Sequence, residues 1–103
     1  ATIVAGAAGG PRIITATLAI VIAMLDGTTA GDAVAAPRLH HQWMPDRLLV
    51  EPQVFPSLRE LLTLAKHVVR EVDGLAIAQA AGRREGRVEA ASDPRGIGRP
   101  AGR

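Results

Sequence analysis

The chain has 103 residues, a length for one domain, with 48% apolar residues and a formal net charge of +2. That apolar share excludes a disordered chain, and with one Trp, one Phe and no Tyr the core must rest on Leu, Ile, Val and Ala. The lack of cysteine excludes disulfides, thiolate catalysis and cysteine-ligated zinc, and the lack of rings argues against a platform that stacks single-stranded nucleic acid.

Thr2 to Ala5 is a short apolar run that predicts the end of a strand. Gly6-Ala7-Ala8-Gly9-Gly10-Pro11 then reads as a tight glycine loop. Arg12 to Leu25 predicts a helix, with Pro11 suited to its first position because a missing N–H does no harm there. The stretch from Ile13 to Leu25 carries no charge, and its apolar residues cover most of the helix circumference. The pattern predicts a helix buried on nearly all sides against a sheet. It falls short of the roughly 20 residues that a membrane span needs.

Asp26-Gly27 closes that helix. Thr29, with Asp32 three residues on, predicts a capped second helix over Ala30 to Ala36, stopped by Pro37. Arg38 to Arg47 reads as a loop holding His40, His41 and Trp43. Leu48 to Glu51 predicts a strand, and Pro56 to Ala65 a third helix with Leu58, Leu61, Leu62 and Ala65 on one face.

The last third predicts strands over His67 to Val72, Leu75 to Ala81 and Arg87 to Ala91. Asp73-Gly74 is a hairpin signal, and Gly82 to Gly86 reads as a longer polar loop. Residues 96–103 are rich in Gly, Pro and Arg, which predicts a flexible tail behind a folded portion 1–95. Arg95, Arg99 and Arg103 form the one single-signed stretch, read as a solvated end in preference to a nucleic-acid site. The start at Ala1, without Met or a signal-peptide pattern, is expected of a processed or partial chain.

Three segments together resemble the γ-glutamyltransferase family. Gly6 to Ile14 is similar to the family's Gly-Ser-Pro-Gly-Gly-Ser-Arg-Ile stretch, with Ala7 and Ala8 in place of Ser and Pro and Pro11 in place of Ser. Ala35-Ala36-Pro37-Arg38-Leu39-His40-His41-Gln42-Trp43-Met44-Pro45-Asp46 is close to its Ala-Pro-Arg-Phe-His-His-Gln-Trp segment, and Ala91-Ser92-Asp93-Pro94-Arg95, followed by Gly96, resembles its C-terminal region. The resemblance spans nearly the whole chain, and its middle segment is the most specific.

It implies an α+β fold, part of an αββα N-terminal-nucleophile hydrolase sandwich of helices and antiparallel strands. It implies the C-terminal part of a small subunit, working with the rest of that subunit and a large subunit on γ-glutamyl substrates such as glutathione. The reaction runs through a threonine acyl-enzyme, and the nucleophile matches no residue of this chain. Gly9 and Gly10 match the glycine pair whose backbone amides form the oxyanion hole. No cofactor, metal, nucleic acid or membrane span is implied, and relatives suggest a periplasmic or secreted protein. A non-catalytic fragment, a divergent structural module and a related acylase of β-lactam side chains are the competing readings.

The remaining polar residues have plainer expectations. His40 and His41 are adjacent and lack a third ligand, so one is expected in a packed hydrogen bond and the other exposed. Trp43 is expected to anchor its loop by burial. Arg38 and Arg95 are expected in ion pairs or carbonyl contacts, and Asp93-Pro94 in a turn. Lys66 stands where the family has a glycine, at a position requiring a left-handed helix cap.

Overall fold

The computed structural model describes residues 2–101. Ala1, Gly102 and Arg103 lie outside the described residues, and with them the expectations for the chain start and for the Arg103 end of the tail. The chain forms two compact units, one from Ala1–Ala36 with Ala76–Arg103 and the other from Pro37–Leu75.

In the first unit, strand β1 (Ile3–Ala8), helix α1 (Arg12–Leu25) and helix α2 (Ala30–Ala35) are joined from the far end of the sequence by other strands. Those numbered β5 (Ile77–Arg84) and β6 (Arg87–Ser92) complete an antiparallel sheet in the order β1-β5-β6. The predicted six-residue glycine loop is shorter than expected. Gly6, Ala7 and Ala8 continue β1, opposite Gln79, Ala78 and Ile77 of β5. A distant partner strand satisfies their backbone groups, which local sequence cannot foresee.

Helix α1 has the predicted bounds, with Pro11 one place earlier than expected, as its N-cap. Its predicted all-round burial is not found. Ala16, Ile20 and Met24 form a single buried stripe, while Ile14 and Leu25 are 73% and 70% exposed. Within this unit the sheet and α2 reach only one side of the helix. Ile20 and Met24 pack with Ala33, Val34, Ala78 and Ala80, and each large side chain so buried contributes about 1.5–3 kcal/mol.

The C-terminal end of α1 and the N-terminal end of α2 are closed by local chemistry. Gly27 (φ +97°) donates to Met24 O at 3.1 Å and Thr28 to Ala23 O at 2.9 Å, a Schellman cap. Thr29 Oγ1 accepts from Asp32 N at 3.1 Å and donates to the Asp32 carboxylate at 2.9 Å. The predicted polar loop at 82–86 is instead two residues long. Glu85 and Gly86 both have positive φ (50° and 77°), and Arg84 faces Arg87 directly. That is the twist of a type I′ hairpin, so Gly82 to Arg84 extend β5.

The second unit holds β2 (Leu39–His40), β3 (Leu48–Val50), helix α3 (Pro56–Leu64) and β4 (Val69–Glu71), with sheet order β2-β3-β4. Two expectations fail here. Leu39–His40 is a short strand inside the predicted loop. Asp73-Gly74 makes no hairpin, because β4 pairs parallel with β3 instead of antiparallel with the next strand. Helix α3 is the crossover that a parallel pair requires. Neither Asp73 nor Gly74 takes a positive φ; Ala76 does, at 66°.

Leu48, Val50 and Val54 form this unit's core, with Leu62 and Val69 packed against it. The predicted apolar face of α3 meets it only in part, since Leu61 is 62% exposed. No helix among the described residues is long and apolar enough to cross a membrane.

Candidate functional site

Strand β1 delivers the chain to Gly9 and Gly10, and α1 starts two residues later. Both glycines have positive φ, 147° and 62°. Gly9 lies against Ala76: a Cβ added to Gly9 would stand 3.0 Å from both Ala76 Cα and Ala76 Cβ. Gly10 meets no atom within 4 Å on that side, and its carbonyl accepts from Ile13 N at 3.1 Å in the turn that leads into α1. Among the described residues, no group accepts the N–H of Gly9 or Gly10.

Two free amides therefore stand exposed at the positive end of a fourteen-residue helix with no acidic side chain in its first turn. Such a turn favours an anionic oxygen, through its N–H groups and through the helix dipole.

At the same end of this unit's sheet stands Asp93, which is 1% exposed. Its Oδ2 accepts from Ala78 N at 2.8 Å, and its own N–H donates to Ala78 O at 3.0 Å. Oδ1 accepts from Arg95 N at 2.9 Å and Arg95 Nη1 at 3.0 Å. The Asp93 carbonyl is thereby left to the turn, where Gly96 N donates to it at 3.0 Å. Arg95 also donates to Val34 O at 2.9 Å and Ala36 O at 3.0 Å, satisfying carbonyls at the end of α2. Both the turn expected of Asp93-Pro94 and the carbonyl contacts expected of Arg95 are present.

In the second unit, Glu51 is 1% exposed and takes two backbone amides. Oε2 accepts from Arg38 N at 2.9 Å, and Oε1 from Leu75 N at 2.8 Å. The buried Arg38 donates from Nη1 to Leu75 O at 3.1 Å, the carbonyl contact expected of it. Arg59 binds three carbonyls, of Val54, Glu51 and Pro52, at 3.1, 2.9 and 2.8 Å.

Sequence reasoning missed Glu51, Arg59 and Ala76. A carboxylate closing the buried run Leu48-Leu49-Val50 was the available signal for Glu51, because a charge there needs donors. Nothing local marked Ala76.

The histidines follow the expectation for His40 and depart from it at His41, which is only partly exposed and is hydrogen-bonded too. His40 is buried and donates through Nε2 to Gln42 Oε1 at 2.9 Å. His41, partly exposed, accepts from Trp43 N at Nδ1 (3.0 Å), so its Nε2 carries the proton given to Asp46 Oδ1 at 3.2 Å. Trp43 departs from expectation. Its ring is not a buried anchor but is 79% exposed, on a backbone with φ +70°. The His41 bond to its N–H fixes the loop while leaving the indole outside. Lys66 has the expected left-handed φ of 66°, and completes a Schellman cap with His67 N on Leu62 O at 3.0 Å. Among the described residues no three His, Cys, Asp or Glu side chains converge as metal ligands would.

Comparison with known proteins adds an independent line. The family model described as Gamma-glutamyltranspeptidase matches residues 1–103. A glutathione hydrolase proenzyme of Escherichia coli is 39% identical over 98 residues, which is 92% of this chain and 17% of that protein. A Helicobacter pylori gamma-glutamyltranspeptidase mutant superposes with a TM-score of 0.85 at 29% identity, over 92% of this chain and 54% of that one. The Pseudomonas nitroreducens gamma-glutamyltranspeptidase complexed with L-DON gives 0.86 at 28% identity, over 97% and 54%. The chain thus spans about half of the solved chains and a sixth of the proenzyme.

Proposed function

Because the chain belongs to the gamma-glutamyltranspeptidase family, we propose that it is the C-terminal part of a small subunit that transfers or hydrolyses γ-glutamyl groups, and that Gly9 and Gly10 form its oxyanion hole. The observation that carries this reading is the pair of unpartnered amides at the head of α1, at the positions matching the family's glycine pair.

A threonine nucleophile attacking a γ-glutamyl carbonyl would create an alkoxide. The amides of Gly9 and Gly10 would donate to that oxygen without reorganising, because their φ values are already set by the turn. Losing one such donor typically lowers kcat by about 10²–10³. Glycine is needed here for two reasons: the positive φ, and the close approach of backbone to substrate. Neither Pro11 nor the alanines before Gly9 remove a donor, since the two amides belong to Gly9 and Gly10 themselves.

The nucleophile, the groups that hold the glutamate head and the second sheet of the sandwich belong in this reading to the rest of the small subunit and to a large subunit. Glutathione is the expected substrate, carried over from the relatives' description as glutathione hydrolases. In this reading the described residues up to Arg95 are the folded contribution, and those after it a tail.

The test is an assay of the purified 103-residue chain with γ-glutamyl-p-nitroanilide, alone and mixed with a family member lacking the corresponding C-terminal segment. The expected result is no turnover alone and turnover on mixing. Turnover by the chain alone, or a mixture that forms a complex yet stays inactive, would overturn the proposal.

A further inference from the structure

We propose that Asp93 is a positioning residue for the Gly9–Gly10 turn, acting through β5. This rests on the reading of the two glycines as oxyanion donors.

The argument starts from how the sheet ends. Opposite Ala78, an ordinary antiparallel ladder would return the Ala78 N–H to the backbone carbonyl of its partner. Here the partner is Asp93, and its side chain takes that N–H instead, at 2.8 Å. The Asp93 N–H still donates to Ala78 O, so Ala78 is held at both its backbone groups by one buried residue. The carboxylate is held in turn by two donors of Arg95, whose guanidinium is fixed on Val34 O and Ala36 O.

From Ala78 the path to the glycines is short. Ala78 faces Ala7, and Ile77 faces Ala8, the last residue of β1. Ala76, the next residue back, is the wall against which Gly9 lies, with no room for a Cβ between them. Ala76 has a positive φ of 66°, which an alanine adopts only where its neighbours hold it. Asp93 anchors the strand immediately after it. The carboxylate thus sets the wall, and the wall sets the direction of the Gly9 amide.

The test uses the enzyme that carries this segment, with two variants. Asp93→Asn keeps the shape but puts an amide NH2 against one of the N–H donors. Ala76→Gly takes away the methyl face of the wall while leaving its Cα and N, and suits the positive φ, so it is expected to fold even where Asp93→Asn does not. For each, kcat and KM for γ-glutamyl release are measured, together with the ¹⁵N-amide shifts and hydrogen exchange of Gly9 and Gly10. Both variants are expected to lower kcat about tenfold to a hundredfold, the scale for misplacement of a reacting group, with KM within twofold, and to shift the Gly9 amide. A uniform loss of stability does not produce that split. Glycine amides and kcat that stay unchanged in Ala76→Gly would overturn the proposal. Amides that move while kcat holds would instead leave the positioning intact and sink the oxyanion reading.

Discussion

Arg59 of α3 reaches Glu71 of β4 at 2.6 Å, yet the contacts that matter to it are the three backbone carbonyls on its other side. Glu71 is 54% exposed and Arg59 27%, so solvent screens the pair, and such pairs contribute about 0–1 kcal/mol. The carbonyls of Glu51, Pro52 and Val54 lie in a turn that no strand or helix satisfies. Urea denaturation separates the two roles. Glu71→Gln is expected to lower stability by less than about 1 kcal/mol. Arg59→Ala is expected to cost about 2–3 kcal/mol, because it strips several charge-assisted bonds at once.

Glu51 should be less tolerant than its surface counterparts. Its two oxygens accept two backbone amides in a site 1% exposed. Glu51→Gln must turn an NH2 group toward one of those donors. The expected loss is about 1–3 kcal/mol for the group left unsatisfied, read as a lower urea midpoint at unchanged m-value.

Lys66 offers the opposite sign. Its φ of 66° is one that glycine adopts freely and L-residues adopt at about 1–2 kcal/mol. Lys66→Gly is therefore expected to raise the melting temperature while leaving the Lys66 and His67 cap bonds in place. A fall in melting temperature would mean that the lysine side chain has a stabilising contact of its own.

The two turn glycines should respond differently to the same change. Gly9→Ala puts a methyl 3.0 Å from two Ala76 carbons at a φ of 147°, so it should disrupt the turn. Gly10→Ala meets no atom within 4 Å and costs only the strain of its φ, about 1–2 kcal/mol. Thermal denaturation of both variants should show Gly9→Ala as the more damaging. Equal losses would contradict the contact with Ala76.

What could be read beforehand follows the reach of each signal. The bounds of α1 were legible because Pro11, Asp26 and Gly27 act on their own neighbours. The same holds for the Thr29 cap and the left-handed Lys66. Asp73-Gly74 misled because a hairpin also needs a partner strand, and β4 found its partner across α3. The circumference of α1 misled because periodicity reports what side chains could bury, not which neighbours this chain supplies. At the candidate site the Gly9–Gly10 pair was visible in sequence. The bond from Ala78 to Asp93 joins residues 15 apart and was not.

The Glu51 carboxylate also ties together the two ends of its own unit. It grips Arg38 and Leu75, which stand at the two borders of the Pro37–Leu75 unit. Two amides on one carboxylate bring the entry and exit of that excursion side by side, as at the neck of a loop. The unit is thus a segment whose doorway is latched from inside, by a single side chain of its own.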